Sequence, residues 1–403
     1  MILHLADDSI FLDYAIDQFE EVAPGFSIYL VNSKSPKRIR NVEKIIAAES
    51  NSTQYKDVIK NLSHYDAVIL HALTYDKIKI VNKANSDVKF VWMFWGADGY
   101  YINKIIPILF SKNTQSLLDS VNNNSSFSSK IKKFLHSKDV FSIPYSLVRK
   151  GVLPADFKRR MAIKRMDYCA PVIEDDYYFI KRVMKLKCTL LPFSYVSIET
   201  LIPDFNTQTH PLKLEDDSVK ILLGNSADPS NNHLDILYLL KNMNFEGEVI
   251  CPLSYGNADY RDHLLKIGTD LLGTKFKPIT DFLPLEKYQS LISSCGIVIM
   301  NHYRQQAMGN IVSSLWYGSK IFLNEKNPVY AFLKRKNAVV FSISNISVQS
   351  PSFTALDYKE IELNRNFVIN NYSKENVLAK TKSLINTIRM DPQFSSSLSN
   401  ISK

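Results

Sequence analysis

Three stretches of this chain put polar, chemistry-bearing residues where an apolar run ends and a helical pattern begins. GNSADPSNNH, residues 224–233, follows Ile221, Leu222 and Leu223 and holds Gly224, Asn225, Ser226, Asp228, Asn231 and His233. Capping the next helix takes one or two polar residues, here Ser230 or Asn231, so the surplus points to a ligand. Gly224 would let backbone approach it, and free N–H groups at a helix N-terminus suit phosphate. MNHYRQQAMGN, residues 300–310, repeats the arrangement. Arg304 can pair with phosphate, Gln305 and Gln306 can bond sugar or base edges, and Gly309 with Asn310 can open a helix. CPLSYGNADY, residues 251–260, adds Tyr255, a ring able to stack on a base. Together they predict a nucleotide-diphosphate pocket.

FWGADGYY, residues 94–101, sets Asp98 between two glycines at a strand end. A carboxylate there could act as general base toward a hydroxyl. Asp98 is the first candidate, with His71 and then His4 behind it. Asp7, Asp8 and the acids at 174–176 precede predicted helices, where negative charge is favourable, so they read as helix-start acids and no metal site is assigned. No H-E-x-x-H, G-x-S-x-G, Walker A or G-x-G-x-x-G pattern occurs. The four cysteines are widely spaced, which argues against zinc and a disulfide framework.

The elements that must position these residues alternate between strand and helix. MILHLA, FSIYLV, YDAVILHAL, VKFVWMFWG, MDYCAPVI and CTLLPFSYV read as strands of a first parallel sheet, with helices such as SIFLDYAIDQFEEV between them. VKILLGN, GEVICPLS, FKPIT, GIVIMNH, SKIFLN and NAVVFSI read as a second, with a closing helix over about 373–390. The fold class is α/β, two doubly wound Rossmann-like domains. The expected domains are 1–202, interrupted by an insertion at 111–165, and 219–390, joined by a polar, proline-containing linker at 203–218. A ligand cleft is expected between them.

Hydrophobic content of 45% and charged content of 22% are ordinary for a globular chain of 403 residues. The net charge of +9 is not evenly spread. Residues 111–165 hold 12 Lys or Arg and 3 Asp or Glu, leaving 37 of each sign elsewhere. Such a segment attracts an anionic partner: lipid, nucleic acid or a phosphorylated substrate. It lacks the regular aromatic interleaving of a nucleic-acid platform, so no nucleic-acid partner is assigned. No apolar run has the length of a membrane span. The N-terminus reads as a strand and not a leader, so a cytoplasmic protein is expected.

The blocks LLGNSADPSNNH, PLSYGNADY, NHYRQQAMGN, WGADGYY and APVIEDDYYFIK, in that spacing, resemble the TDP-N-acetylfucosamine:lipid II N-acetylfucosaminyltransferase family (4-alpha-L-fucosyltransferase family, glycosyltransferase family 56). The resemblance runs over about 1–110 and 166–345. It implies a GT-B fold whose second domain holds a TDP-sugar, and transfer of a 4-acetamido-4,6-dideoxyhexose to a polyprenyl-diphosphate-linked saccharide. The setting it implies is enterobacterial common antigen or O-antigen assembly, peripheral to the cytoplasmic face of the bacterial inner membrane.

On this reading Gly224, Asn225, Ser226, Asp228, Asn231, His233, Tyr255, Arg304, Gln305, Gln306, Gly309 and Asn310 hold the donor, without a metal cofactor. Lys130, Lys132, Lys133, Arg149, Lys150, Lys158, Arg159 and Arg160 dock on anionic membrane and on the lipid-linked acceptor. Alternatives are a GT-B enzyme using a UDP- or GDP-sugar and a basic nucleic-acid-binding protein.

Overall fold

Runs of aliphatic and aromatic residues without alternation become the central strands of two parallel sheets. The computed structural model describes residues 1–102, 105, 108–123, 155–202, 205, 219–346 and 353–390. One compact unit contains β1 (Ile2–Ala6), β2 (Ser27–Val31), β3 (Ile45–Ala47), β4 (Ala67–His71), β5 (Phe90–Phe94), β6 (Tyr168–Pro171) and β7 (Thr189–Leu190). They form a sheet in the order β3-β2-β1-β4-β5-β6-β7, parallel throughout. Strands β1, β4 and β5 are buried at every position, because helices cover both faces.

The second unit contains β8 (Lys220–Leu223), β9 (Glu248–Pro252), β10 (Phe276–Ile279), β11 (Ile297–Met300), β12 (Lys320–Leu323) and β13 (Phe341–Ser342). Their order is β10-β9-β8-β11-β12-β13, again all parallel. The strand order reverses between β1 and β4 in one sheet and between β8 and β11 in the other. In doubly wound sheets the loops leaving the carboxyl ends of such a strand pair hold ligands. His71 ends β4, and the loops beginning at Gly224 and Asn301 leave β8 and β11.

The expected domain boundaries need two corrections. The helix Lys374–Met390, expected in the second domain, belongs to the first unit. Its Leu384, Ile385 and Ile388 share a core with Leu12, Ala15, Ile16 and Phe19 of the helix Ile10–Val22. Burying each such side chain contributes about 1.5–3 kcal/mol, and Thr381 Oγ1 also donates to Gln18 Oε1 at 2.9 Å. Residues 112–123, expected within the insertion of the first domain, form the helix Lys112–Asn123 and belong instead to the second unit. Ser111 N donates to Asn232 Oδ1 at 2.8 Å, and Asn113 Nδ2 to Asp235 Oδ1 at 2.8 Å. Apart from Phe205, the 203–218 linker lies outside the described residues, as do Lys130, Lys132, Lys133, Arg149 and Lys150.

Arg159 is a third correction. It was expected to face a membrane but is 6% exposed on the helix Ala155–Lys164, and its Nη1 donates to the carbonyls of Leu73 and Asp98 at 3.1 and 2.9 Å. Lys158 and Arg160 of the same helix are half-buried.

Candidate functional site

In the second unit the three polar stretches meet. Gln306 Nε2 donates to Asn225 Oδ1 at 2.9 Å, Ser230 Oγ lies 2.8 Å from Gln306 Oε1, and Asn225 Nδ2 donates to the Tyr255 hydroxyl at 2.8 Å. The bridge between Ala227 and Gly256 joins two of the loops through backbone as well. Asn225, Ser226, Asp228, Asn231, Tyr255 and Gln306 therefore belong to one network spanning the loops after β8, β9 and β11. Tyr255 is held by its hydroxyl while the residue stays 60% exposed, leaving a ring free for stacking.

Much of the polar surplus braces the loops themselves. Asn231, fully buried, accepts at Oδ1 from Asn225 N (2.9 Å) and from His302 Nε2 (2.8 Å), and donates through Nδ2 to Ser226 Oγ and the Asp228 carbonyl. That contact assigns His302 as the Nε2–H tautomer. Burial first, then the Arg304 charge, holds His302 well below the usual imidazole range. His233 is brought down to about 3 by burial, and its Nδ1 lies 3.2 Å from the Tyr260 hydroxyl. Gly224 has φ +66°, and a Cβ there would meet His233 Nε2 at 2.6 Å and Asn231 Oδ1 at 2.7 Å. The glycine is required by the loop's own side chains, not by a ligand's approach.

Capping also differs from expectation. Asp228, not Ser230 or Asn231, supplies the cap, its Oδ1 accepting from Ser230 N at 2.9 Å at the head of a short 3₁₀ turn. The following helix, His233–Asn242, starts from left-handed Asn232 with no side-chain cap.

The loop after β11 carries the features that suit an anion. Arg304 and Gln305 are buried, and Arg304 Nη1 donates to the Gln305 carbonyl at 2.9 Å. The helix Met308–Tyr317 begins after left-handed Ala307, and no side chain caps it. Gly309 in its first turn is exposed, and a Cβ there would find only Leu201 Cδ2, at 3.9 Å. Asn310 turns its amide to the Tyr288 hydroxyl at 2.8 Å, which sets its side chain on the helix flank.

In the first unit Asp98 sits just past β5, with its carboxylate engaged. Oδ2 accepts from Leu73 N at 2.9 Å and Trp92 Nε1 at 2.7 Å, and Oδ1 from Trp95 N at 3.0 Å. Burial raises its pKa, while the Trp92 and Leu73 donors and the Arg159 charge oppose the rise. Asp98 ties the loop after β4 to the loop after β5. Asp7 pairs with buried Lys77 at 2.6 Å, and Asp8 accepts from the backbone of Lys37 and Arg38, so these acids also brace loops. His71 is buried, with Nε2 at 3.0 Å from His4 Nδ1 and Nδ1 at 2.7 Å from the Tyr195 hydroxyl. Tyr195 and Trp95 escaped sequence reasoning: Tyr195 lies 124 residues from His71, and no local pattern marks either residue.

The family model described as 4-alpha-L-fucosyltransferase glycosyl transferase group 56 matches residues 156–380, more than half of the chain. Among solved structures, a glycosyltransferase from Rickettsia africae is similar at TM-score 0.61 and 12% identity, covering 97% of this chain and 98% of that one. Sucrose-phosphate synthase from Thermosynechococcus elongatus is similar at TM-score 0.58 and 9% identity, covering 96% and 99%. Anabaena HepE, solved with UDP-glucose, is similar at TM-score 0.54 and 12% identity, covering 99% and 100%. These likenesses establish the GT-B fold class.

Proposed function

The chain belongs to the 4-alpha-L-fucosyltransferase group 56 family of glycosyltransferases, and from that premise we propose that its donor is a TDP-linked 4-acetamido-4,6-dideoxygalactose and its acceptor a polyprenyl-diphosphate-linked saccharide. The product enters bacterial surface polysaccharide, as in enterobacterial common antigen or O-antigen assembly. The observation that carries the donor reading is the joining of three loops at the β8/β11 switch point, beside an uncapped helix N-terminus and a buried arginine. Arg304 and the first turn of Met308–Tyr317 offset charge growing on the leaving diphosphate, with no resident metal. Tyr255 stacks on the base.

The acceptor reading is supported by the outer face of Ala155–Lys164. Phe157 (46% exposed), Met161 (45%) and Lys164 lie at i, i+4 and i+7, so apolar and basic side chains share a surface suited to an anionic bilayer. Among the described residues no helix is long and apolar enough to cross a membrane. The exposed apolar and basic side chains of Ala155–Lys164 support a proposed peripheral association with the cytoplasmic face of the inner membrane.

Thermal unfolding with TDP, UDP and GDP tests the donor reading. TDP at about 100 times its Kd adds about 2.7 kcal/mol of stability. Greater stabilisation by UDP or GDP would overturn the choice of base. Flotation with vesicles containing phosphatidylglycerol tests docking: Phe157→Ser with Lys164→Glu releases the protein if that face binds lipid, and unchanged flotation rejects it.

A further inference from the structure

Beneath the β1/β4 switch point five side chains form one continuous hydrogen-bonded chain. Trp95 Nε1 donates to the Tyr195 oxygen at 2.8 Å, and that hydroxyl lies 2.7 Å from His71 Nδ1. His71 Nε2 lies 3.0 Å from His4 Nδ1, and His4 Nε2 lies 3.2 Å from Ser27 Oγ. Tyr195, Trp95 and Ser27 are half-buried, whereas His4 and His71 are buried within the sheet. Exposed Phe11 stands against both Trp95 and Tyr195, with ring centroids 5.3 and 5.8 Å away, so the outer end is an aromatic surface.

Proton counting sets the polarity. The Trp95 indole can only donate, so it occupies one lone pair of the Tyr195 oxygen. If Tyr195 gives its own proton to His71 Nδ1, His71 must carry hydrogen on Nε2 and donate to His4 Nδ1. His4 then carries hydrogen on Nε2 and donates to Ser27. Every donor in the chain meets an acceptor, both rings are neutral, and one Tyr195 lone pair remains unused. The opposite polarity would turn the Tyr195 proton away from the chain.

Of the charged groups nearby, Glu20 joins the inner end of the chain through Tyr29, which hydrogen-bonds Ser27. Lys77 Nζ binds the His71 carbonyl and Asp7, Glu20 Oε1 accepts from the Tyr29 hydroxyl, and Asp98 is occupied by Leu73, Trp92 and Trp95. The chain thus leads from Ser27 through Tyr29 to the half-buried Glu20 carboxylate. The two buried rings suit passing a proton along better than storing one, because an imidazolium held in an apolar core is costly.

We propose that Tyr195 is the group that receives the acceptor hydroxyl's proton during glycosyl transfer, and that His71, His4 and Ser27 carry the displaced proton through the sheet to solvent. As the acceptor oxygen bonds to the anomeric carbon and the nucleoside diphosphate departs, the acceptor O–H proton passes to the Tyr195 oxygen. The Tyr195 proton moves to His71 Nδ1, the His71 Nε2 proton to His4 Nδ1, the His4 Nε2 proton to Ser27 Oγ, the Ser27 proton to the Tyr29 oxygen, and the Tyr29 proton to Glu20, which releases it to water. Each group gains one proton and loses one. The sugar ring of the acceptor lies against Phe11 and Trp95. This assignment rests on the glycosyltransferase activity but not on the identity of the donor sugar.

The test has two arms. In the full-length protein labelled with [15N]histidine, His4 and His71 are expected as neutral Nε2–H tautomers from pH 5 to 8. Tyr195→Phe should shift the His71 Nδ1 resonance downfield as its hydrogen bond is lost. Imidazolium or Nδ1–H signals at either residue would overturn the chain without reference to any substrate. In the second arm, nucleoside diphosphate release is followed with a TDP-sugar and a polyprenyl-diphosphate-linked saccharide. Tyr195→Phe should lower kcat by about 10²-fold with donor KM within about twofold. Ser27→Ala, remote from substrate, should lower kcat several-fold and straighten a curved proton inventory in mixed H2O and D2O. Wild-type kcat in Tyr195→Phe, or a linear wild-type inventory with Ser27→Ala silent, would overturn the proposal. If this donor fails to turn over, the donor reading falls, and the resonances decide the chain independently.

Discussion

Asn232 and Asn301 bond each other reciprocally: Asn232 Nδ2 donates to the Asn301 carbonyl at 3.1 Å, and Asn301 Nδ2 to the Asn232 carbonyl at 3.0 Å. The loops after β8 and β11 are held by this pair as well as by the Gln306 network above it. Asn232 also accepts from Ser111 N and donates to the Leu109 carbonyl, so the segment before Lys112–Asn123 is tied to the same point.

Asn232→Ala should therefore be costly. It strands buried backbone groups at Ser111, Leu109 and Asn301 and places alanine at φ +51°. The expected loss is about 3 kcal/mol or more, read as a lowered urea midpoint. A change under about 1 kcal/mol would mean that the loops do not depend on this residue.

The two candidate-site glycines should separate folding from binding. Gly224→Ala forces a Cβ into His233 and Asn231 in a left-handed conformation and should cost about 2–3 kcal/mol. Gly309→Ala has room and helical backbone, so it should fold normally yet weaken nucleotide binding about tenfold if the diphosphate approaches this helix turn as proposed. Calorimetric titration of Gly309→Ala with TDP showing wild-type affinity would move the phosphate site elsewhere.

Asp98→Asn should act on stability before chemistry. One carboxylate oxygen becomes an amide donor facing backbone or indole donors, at a cost of about 2–3 kcal/mol. A lower melting temperature is expected, with the pH profile of kcat unchanged in shape. Loss of an acidic limb from that profile, with melting unaltered, would support Asp98 as the base.

Among the described residues four imidazoles are buried, and they should make the protein acid-labile. Burial holds His4 and His233 down to about 3, and His71 and His302 well below the ordinary 6.5. The unfolded chain binds these protons below 6.5 while the folded chain does not, so stability rises with pH between about 3 and 6.5 and falls on acidification. Each imidazole contributes up to about 1.4 kcal/mol per pH unit in that window. Each unit contains two of them, so urea midpoints should drop steeply between pH 6.5 and 5, and a flat profile would contradict neutral burial.

How much of this was legible in the sequence differs from element to element. Most of the strands and the polar loops after β8, β9 and β11 could be read, because an apolar run stopped by glycine, asparagine and serine is a local pattern. Strand β3 and the helix Tyr358–Tyr372 were not assigned. Three residues of strand carry no alternation, and the helix Tyr358–Tyr372 is mostly polar, with Ile361, Asn364, Phe367, Val368 and Tyr372 as its buried positions.

Roles were less legible than places. Asp98 has the right type at the right strand end, but only the fold shows that Leu73, Trp92 and Trp95 have taken its oxygens. Arg159 looks like any other member of a basic run until the carbonyls of Leu73 and Asp98 turn it inward.

By itself, then, the sequence determined the alternating α/β architecture, the family and the loops at the second sheet's switch point, since these depend on residue order within windows of ten or so. Only the tertiary structure decided that the last helix returns to the first unit and that Tyr195 meets His71. Those contacts join residues more than a hundred positions apart, and hydrogen-bond capacity is assigned only when distant groups become neighbours.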